Sequence, residues 1–412
     1  MICYNYKCKE IFKSLLIIFL LIIFIFFSKR YKKSIQQKLI TFIQQYKKPS
    51  IINKSNNCPE DVEKYISLIM NNKLKRINFR VQINNPKISF ISPVFNKNHY
   101  LNSLILSIQH QKIEEYEIIF IDDYSTDNSI NIINEYQKID RRIRLIKHKK
   151  NKGTLYSRCQ GALKSKGEYI IFIDPDDLIL QEGLYNSYNY MHKTDLSIVQ
   201  FNTIFKRNDS LYLNPRYYFY ENIIRQPILS YIFYYNETTG KGDELNTALW
   251  DKLIKREIAL KTVNFIGLDY YNQRIKKEND VILLFSLFQI ADSYQYINET
   301  GYLYMADNDD SITRSWQKKY IMNQIVHGLF VNIDFLYEKT KNSYFDKLFC
   351  IFKLKQSFIR YYISFATSHK EFLFMKKILL KLLKSPYIIN KEKIIIKYID
   401  SFISLIYLIR KE

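Results

Sequence analysis

Ile118-Ile119-Phe120-Ile121-Asp122-Asp123-Tyr124-Ser125-Thr126-Asp127 and, further along, Tyr169-Ile170-Ile171-Phe172-Ile173-Asp174-Pro175-Asp176-Asp177 each run an apolar stretch into a cluster of carboxylates. Unbroken Ile and Phe runs of this kind suit strands buried on both faces of a parallel sheet. Such sheets collect ligands beyond the carboxyl ends of their strands. Both acidic clusters are therefore expected to face one crevice.

Outward from these runs, strands and helices alternate. Lys87 to Val94 (KISFISPV) reads as a strand, and Leu101, Leu104, Ile105 and Ile108 recur at helical spacing ahead of strand 118–121. A helix over 127–138, a short strand Ile143–Lys147, a helix over 153–165 and strand 169–173 follow. The alternation predicts an α/β fold, a Rossmann-like, mostly parallel sheet flanked by helices. After residue 190 it decays into Tyr-rich and Phe-rich segments, with a loop at Gly240 and Gly242 and an apolar helix from Asp280 to Ile290. Beyond Trp316, Ile, Leu, Phe and Lys at helical spacing predict a helical C-terminal tail, packed on the main domain or lying amphipathically on a membrane.

The second acidic cluster carries the more specific chemistry. Proline fixes its own backbone angle and biases Asp174 toward an extended conformation, so Asp174 and Asp176, two apart, tend to project to one side. Two carboxylates at a strand end make a hard oxygen site for Mg or Mn, with positions left for diphosphate oxygens. The same residues also suit an acidic turn in which Asp177 caps the next helix. Asp122 and Asp123 stand at the corresponding earlier strand end, where carboxylates accept hydrogen bonds from a nucleobase N–H or a ribose hydroxyl. Ser125-Thr126-Asp127-Asn128 beside them is equally an ordinary helix cap.

Ile88 to Leu178 resembles the nucleotide-binding half of the family 2 glycosyltransferases, enzymes of the GT-A fold. The resemblance rests on Ser92-Pro93-Val94-Phe95-Asn96, Gln109 and Gln111, Asp122 through Ser129, Asn151-Lys152-Gly153, Ser157-Arg158, and Gly167-Glu168-Tyr169 leading into Asp174-Pro175-Asp176-Asp177. It implies that Pro93 and Asn96 line the nucleotide pocket, that Asp122 and Asp123 bind substrate with Asp123 reading the base, and that Asp174 and Asp176 bind metal. It places Arg158 near the nucleotide or its phosphates. In Glu278-Asn279-Asp280-Val281-Ile282 it gives Asp280 the place of the catalytic base, with Asn279 where a Glu is usual. An inverting transfer needs one carboxylate opposite the leaving group. Trp250-Asp251-Lys252-Leu253, Tyr302-Leu303-Tyr304 and Ser311-Ile312-Thr313 fit the same register. Tyr124 in place of a common Gly and Cys159 in place of an Asn are further departures.

Around this domain, Ser14 to Ser28 (SLLIIFLLIIFIFFS) is uncharged between basic flanks and reads as an N-terminal membrane helix or a signal sequence. The expected organisation is an anchor with flanks over 1–33, a basic stem over 34–85, a catalytic domain over 86–315 and a helical region over 316–412. Within that domain 86–190 forms the nucleotide-sugar half and 191–315 the acceptor half. The net charge of +22 comes mostly from scattered Lys, with no Arg-rich block or zinc-finger spacing, which argues against nucleic acid as a partner. Cys3, Cys8, Cys58, Cys159 and Cys350 lack the paired spacing of a metal site or disulfide scaffold.

The expected function is a single-pass, membrane-anchored, metal-dependent inverting transfer from a nucleotide sugar, a UDP-sugar by expectation, to a hydroxyl of a glycan, lipid or protein. In a eukaryote it would reside in the endoplasmic reticulum or Golgi. The alternative is an inactive anchored module that binds nucleotide sugar or glycan.

Overall fold

The computed structural model describes residues 60–71, 73–207, 210–213, 223–226, 248–272, 274–275 and 279–306, with scattered positions between 331 and 384. The apolar segment 14–28, the loop at Gly240 and Gly242 and most of the tail over 316–412 lie outside the described residues. Among the described residues, no helix is long and apolar enough to cross a membrane. The chain divides into two compact units, one made of Pro49–Phe233 and Lys241–Phe335, the other of Met1–Lys48, Tyr234–Gly240 and Leu336–Glu412. All candidate site residues fall in the first.

That unit begins with helix α1 (Glu60–Met70), within the expected stem, and continues with β1 (Ile88–Val94), α2 (Asn98–Gln109), β2 (Tyr116–Asp122), α3 (Ser129–Ile139), β3 (Ile143–Lys147), α4 (Thr154–Lys164) and β4 (Tyr169–Phe172). From β1 onward each agrees with the sequence-based expectation to within a few residues. β1, β2 and β4 are buried at every position, as unbroken apolar runs require. Strand β1 lies between its neighbours and runs parallel to both, with Val94 opposite Asp122 and Ile91 opposite Phe172. This register sets the segments after β1, β2 and β4 side by side, which is how both acidic clusters reach one end of the sheet.

Beyond β4 come β5 (Leu178–Ile179), α5 (Gln181–Thr194), β6 (Ile198–Arg207), β7 (Ser210–Leu213), β8 (Ile224–Arg225), β9 (Lys252–Lys255), α6 (Arg256–Ile266), α7 (Leu268–Tyr271), α8 (Asn279–Ile290) and β10 (Ser293–Met305). The strands join one sheet in the order β3-β2-β1-β4-β9-β6-β10-β5. The region that reads as decaying alternation is thus sheet: β9 is antiparallel to both β4 and β6, while β10 runs parallel to β6. Its strands are disguised because their buried positions include Gln200, Asn202 and Thr203. Gln200 donates to Asp251 and accepts from Tyr294 Oη, at 3.0 and 2.8 Å, so this polar side chain is satisfied within the core.

Helix α4 packs tightly on the sheet because Gly161 faces it. A methyl group there would overlap Ile91 Cγ2, and would stand 2.9 Å from Ile121 Cδ1.

Candidate active site

The loop after β1 is stitched to the loop after β2. Asn96 takes a left-handed conformation, φ 51°, and its N–H donates to Ser125 Oγ at 3.0 Å while its Oδ1 accepts from Thr126 N–H at 2.8 Å. Pro93 is buried within β1 opposite Ile121. The structure gives the adjacent aspartates different partners. Asp122 is 1% exposed, and its carboxylate accepts the Ser125 N–H at 3.2–3.3 Å, closing its own turn. Asp123 points to the segment after β3: Oδ1 accepts from His148 Nδ1 at 2.9 Å and from Lys152 N–H at 2.7 Å, and Oδ2 from Gly153 N–H at 2.7 Å. Burial pushes this carboxyl up, but the bonds from His148, Lys152 and Gly153 together outweigh it and hold it below the ordinary value.

Gly153 adopts φ 92°, a conformation that L side chains rarely take, and this aims its amide at Asp123 at the start of α4. His148 was not singled out in the sequence; only its place after β3 could have drawn attention to it. Its Nε2 is buried with no hydrogen-bond partner among the described residues, and Tyr156 packs edge-on against its ring at 5.1 Å.

The second cluster is organised by basic side chains. Arg158, on α4, is 2% exposed and forks between two carboxylates: Nη2 donates to Asp174 Oδ1 at 2.7 Å and Nη1 to Asp280 Oδ1. Burial alone would lower its pKa, yet Asp280 and Asp174 more than offset that and keep the guanidinium charged. Asp280, in the first turn of α8, is thereby brought to the strand end that carries Asp174. Lys97, which the sequence reading passed over, donates from Nζ to Asp176 Oδ2 at 2.9 Å.

Asp177 faces inward rather than capping the helix that follows. Tyr302 Oη donates to its Oδ2 at 2.8 Å and Met305 N–H to its Oδ1 at 2.9 Å, so it fastens β10 under the turn. Trp250 stacks on Tyr302 at 4.6 Å. Behind them, Lys252 Nζ bonds Asp251 Oδ1 and Ala248 O, each at 2.7 Å, with both side chains fully buried. Two of the three segments that fit the family register thus meet directly behind the acidic turn, and the third, Ser311-Ile312-Thr313, lies outside the described residues.

Arg158 pairs with Asp174 and Asp280, Lys97 with Asp176, and the Tyr302 hydroxyl donates to Asp177. Burial raises the Asp174 carboxyl first, and Asp280 and Asp176 raise it further against Arg158, although 29% side-chain exposure lets water moderate the effect. Asp177 is raised more strongly, by burial and then by Asp176 and Asp174. Hard carboxylate oxygens gathered in this way suit a divalent cation. No group of three or more potential ligands forms a ready-made cage among the described residues. Mg needs none when one or two carboxylates and substrate phosphates complete its shell.

A model of glycosyl transferase family 2 matches residues 89–249. The chain carries a family 2 glycosyltransferase domain. This domain's relatives include an uncharacterised glycosyltransferase of Haemophilus influenzae, 41% identical over 30% of this chain and 49% of the relative. They also include a cholesterol galactosyltransferase of Borreliella burgdorferi, 27% identical over 66% of this chain and 76% of the relative. The chain therefore spans about half the length of the first and about three quarters of the second. Residues 1–349 of S. aureus TarS, solved with UDP-GlcNAc, superpose with a TM-score of 0.57 at 14% identity, covering 79% of this chain and 90% of TarS 1–349. That likeness establishes the GT-A fold of the family 2 domain.

Proposed function

We propose that the family 2 domain transfers a sugar from a nucleotide sugar to an acceptor hydroxyl, by an inverting and metal-assisted route. The observation that carries this reading is the fork of Arg158, which brings Asp280 from α8 to Asp174 at the end of β4. A donor-binding crevice needs only the clusters after β2 and β4. A carboxylate delivered from a distant helix adds what transfer needs, a base able to take the proton of the attacking hydroxyl.

In this reading Asp123, held ionised, accepts from the nucleobase through the capacity left on Oδ2, and Pro93 and Asn96 line the pocket with Asp122 shaping its turn. Asp174 and Asp176 would hold Mg or Mn, which supplies charge neutralisation for the departing nucleoside diphosphate. Asp280 accepts the acceptor's proton, and Arg158 holds Asp280 in position while offsetting charge around Asp174. The donor fits the UDP-sugar class, because TarS of the same fold binds UDP-GlcNAc. Relatives whose names specify cholesterol and poly(ribitol-phosphate) acceptors support a hydroxyl of a lipid or glycan. Anchoring through 14–28, single-pass placement in a membrane and the division at residues 86 and 315 belong to the same proposal.

Asp176→Asn tests it. Transfer from a UDP-sugar and Mn-dependent UDP binding should both be lost while the melting temperature stays near that of wild type. Retained turnover would remove the metal role.

A further inference from the structure

The two basic side chains on the acidic turn differ in kind. Arg158 is buried, planar and bound to two carboxylates at once. Lys97 holds one oxygen of Asp176 by a single bond, with side-chain exposures of 15% for the lysine and 18% for the aspartate. Its backbone is fixed, since its N–H donates to Ser129 Oγ at 2.9 Å next to the stitched Asn96. Its four-carbon stem remains free to swing from that fixed point. Tyr100 lies beneath the ammonium, with the ring centroid 5.2 Å from Nζ, a second favourable contact for the charge. Lys97 therefore starts from the loop lining the proposed nucleotide pocket and ends on one of the two carboxylates of the proposed metal pair.

We propose that Lys97 is an exchangeable counter-cation for Asp176. It holds the carboxylate in the donor-free protein, and it releases Asp176 and pairs with the diphosphate once the donor occupies the crevice with a divalent cation. The physical reason is charge. An ammonium 2.9 Å from Asp176 Oδ2 repels a second cation at that oxygen, so a divalent ion alone meets a site already neutralised. A nucleoside diphosphate offers the ammonium new anionic oxygens within the same crevice and thereby frees Asp176. Cation and donor should bind cooperatively, each weakly without the other. This inference rests on the metal-assisted reading above, to which it adds the residue that couples the two ligands.

Calorimetric titration of the full-length chain with Mn alone, and with UDP in the presence and absence of Mn, tests it. In Lys97→Met the affinity for Mn alone should rise roughly threefold or more, as the loss of a half-buried ion pair implies, while the gain in Mn affinity given by UDP shrinks. Lys97→Arg, which keeps the charge, should restore weak binding of Mn alone. Lys97→Gln, with thermal melting as the control, covers the case in which the Met variant does not fold. Unchanged affinity for Mn alone and unchanged coupling in a folded Lys97→Met or Lys97→Gln variant would overturn the proposal. Failure of the underlying reading looks different: wild type would then bind UDP without regard to Mn, or Asp176→Asn would bind both as wild type does.

Discussion

Tyr124 has φ 73° and a side chain 54% exposed, in the turn that follows Asp123. A left-handed conformation costs an L residue about 1–2 kcal/mol, of which glycine's greater flexibility gives back part. Tyr124→Gly should therefore stabilise the protein by about 0.5–1 kcal/mol in chemical denaturation, and an unchanged or lower stability would show that the tyrosine side chain contributes contacts that outweigh the strain. Asp123 yields a pH prediction. Its folded pKa lies below the ordinary value, so its stabilisation is complete above about pH 4 and is lost as pH falls through the depressed value. Asp123→Asn should lower the melting temperature near neutrality and flatten its decline under acid. The acidic residues of this site were legible in the sequence, because carboxylates at the ends of apolar strands carry a recognisable pattern. Lys97 and His148 were not, since one lysine among many and one histidine after a short strand become informative only when their partners, Asp176 and Asp123, are known.

At the scale of elements, the first half of the sheet could be read because β1, β2 and β4 are continuous apolar runs. The second half could not, because β6 and β10 bury Gln200, Asn202 and Thr203 beside Tyr294 and Tyr296, and this polar ladder breaks both periodicities. One side-chain link from β10 to the acidic turn is the Tyr302 hydroxyl on Asp177. Tyr302→Phe would leave a buried carboxylate short of one donor, costing about 1–3 kcal/mol. Since Asp177 is already raised and that bond acts to lower it, the loss should grow as pH rises and the carboxyl ionises, and a melting series across pH measures this. Where α4 meets β1, Gly161→Val should destabilise by about 1–3 kcal/mol through overpacking against Ile91.

For the whole molecule, the charge of +22 acts on an anionic donor as a long-range attraction. The KM for a UDP-sugar should rise between low and physiological salt with kcat little changed, because screening weakens capture before it touches a buried step. In the proposed function, one crevice both binds the donor and, through Asp280, carries out transfer. The most direct measurement is UDP-sugar turnover together with UDP affinity in wild type and Asp280→Asn. Turnover should fall by about 10²–10⁴-fold, with UDP affinity within about threefold of wild type. Turnover in Asp280→Asn within a few-fold of wild type, or no turnover in either protein across a panel of nucleotide sugars, would contradict it.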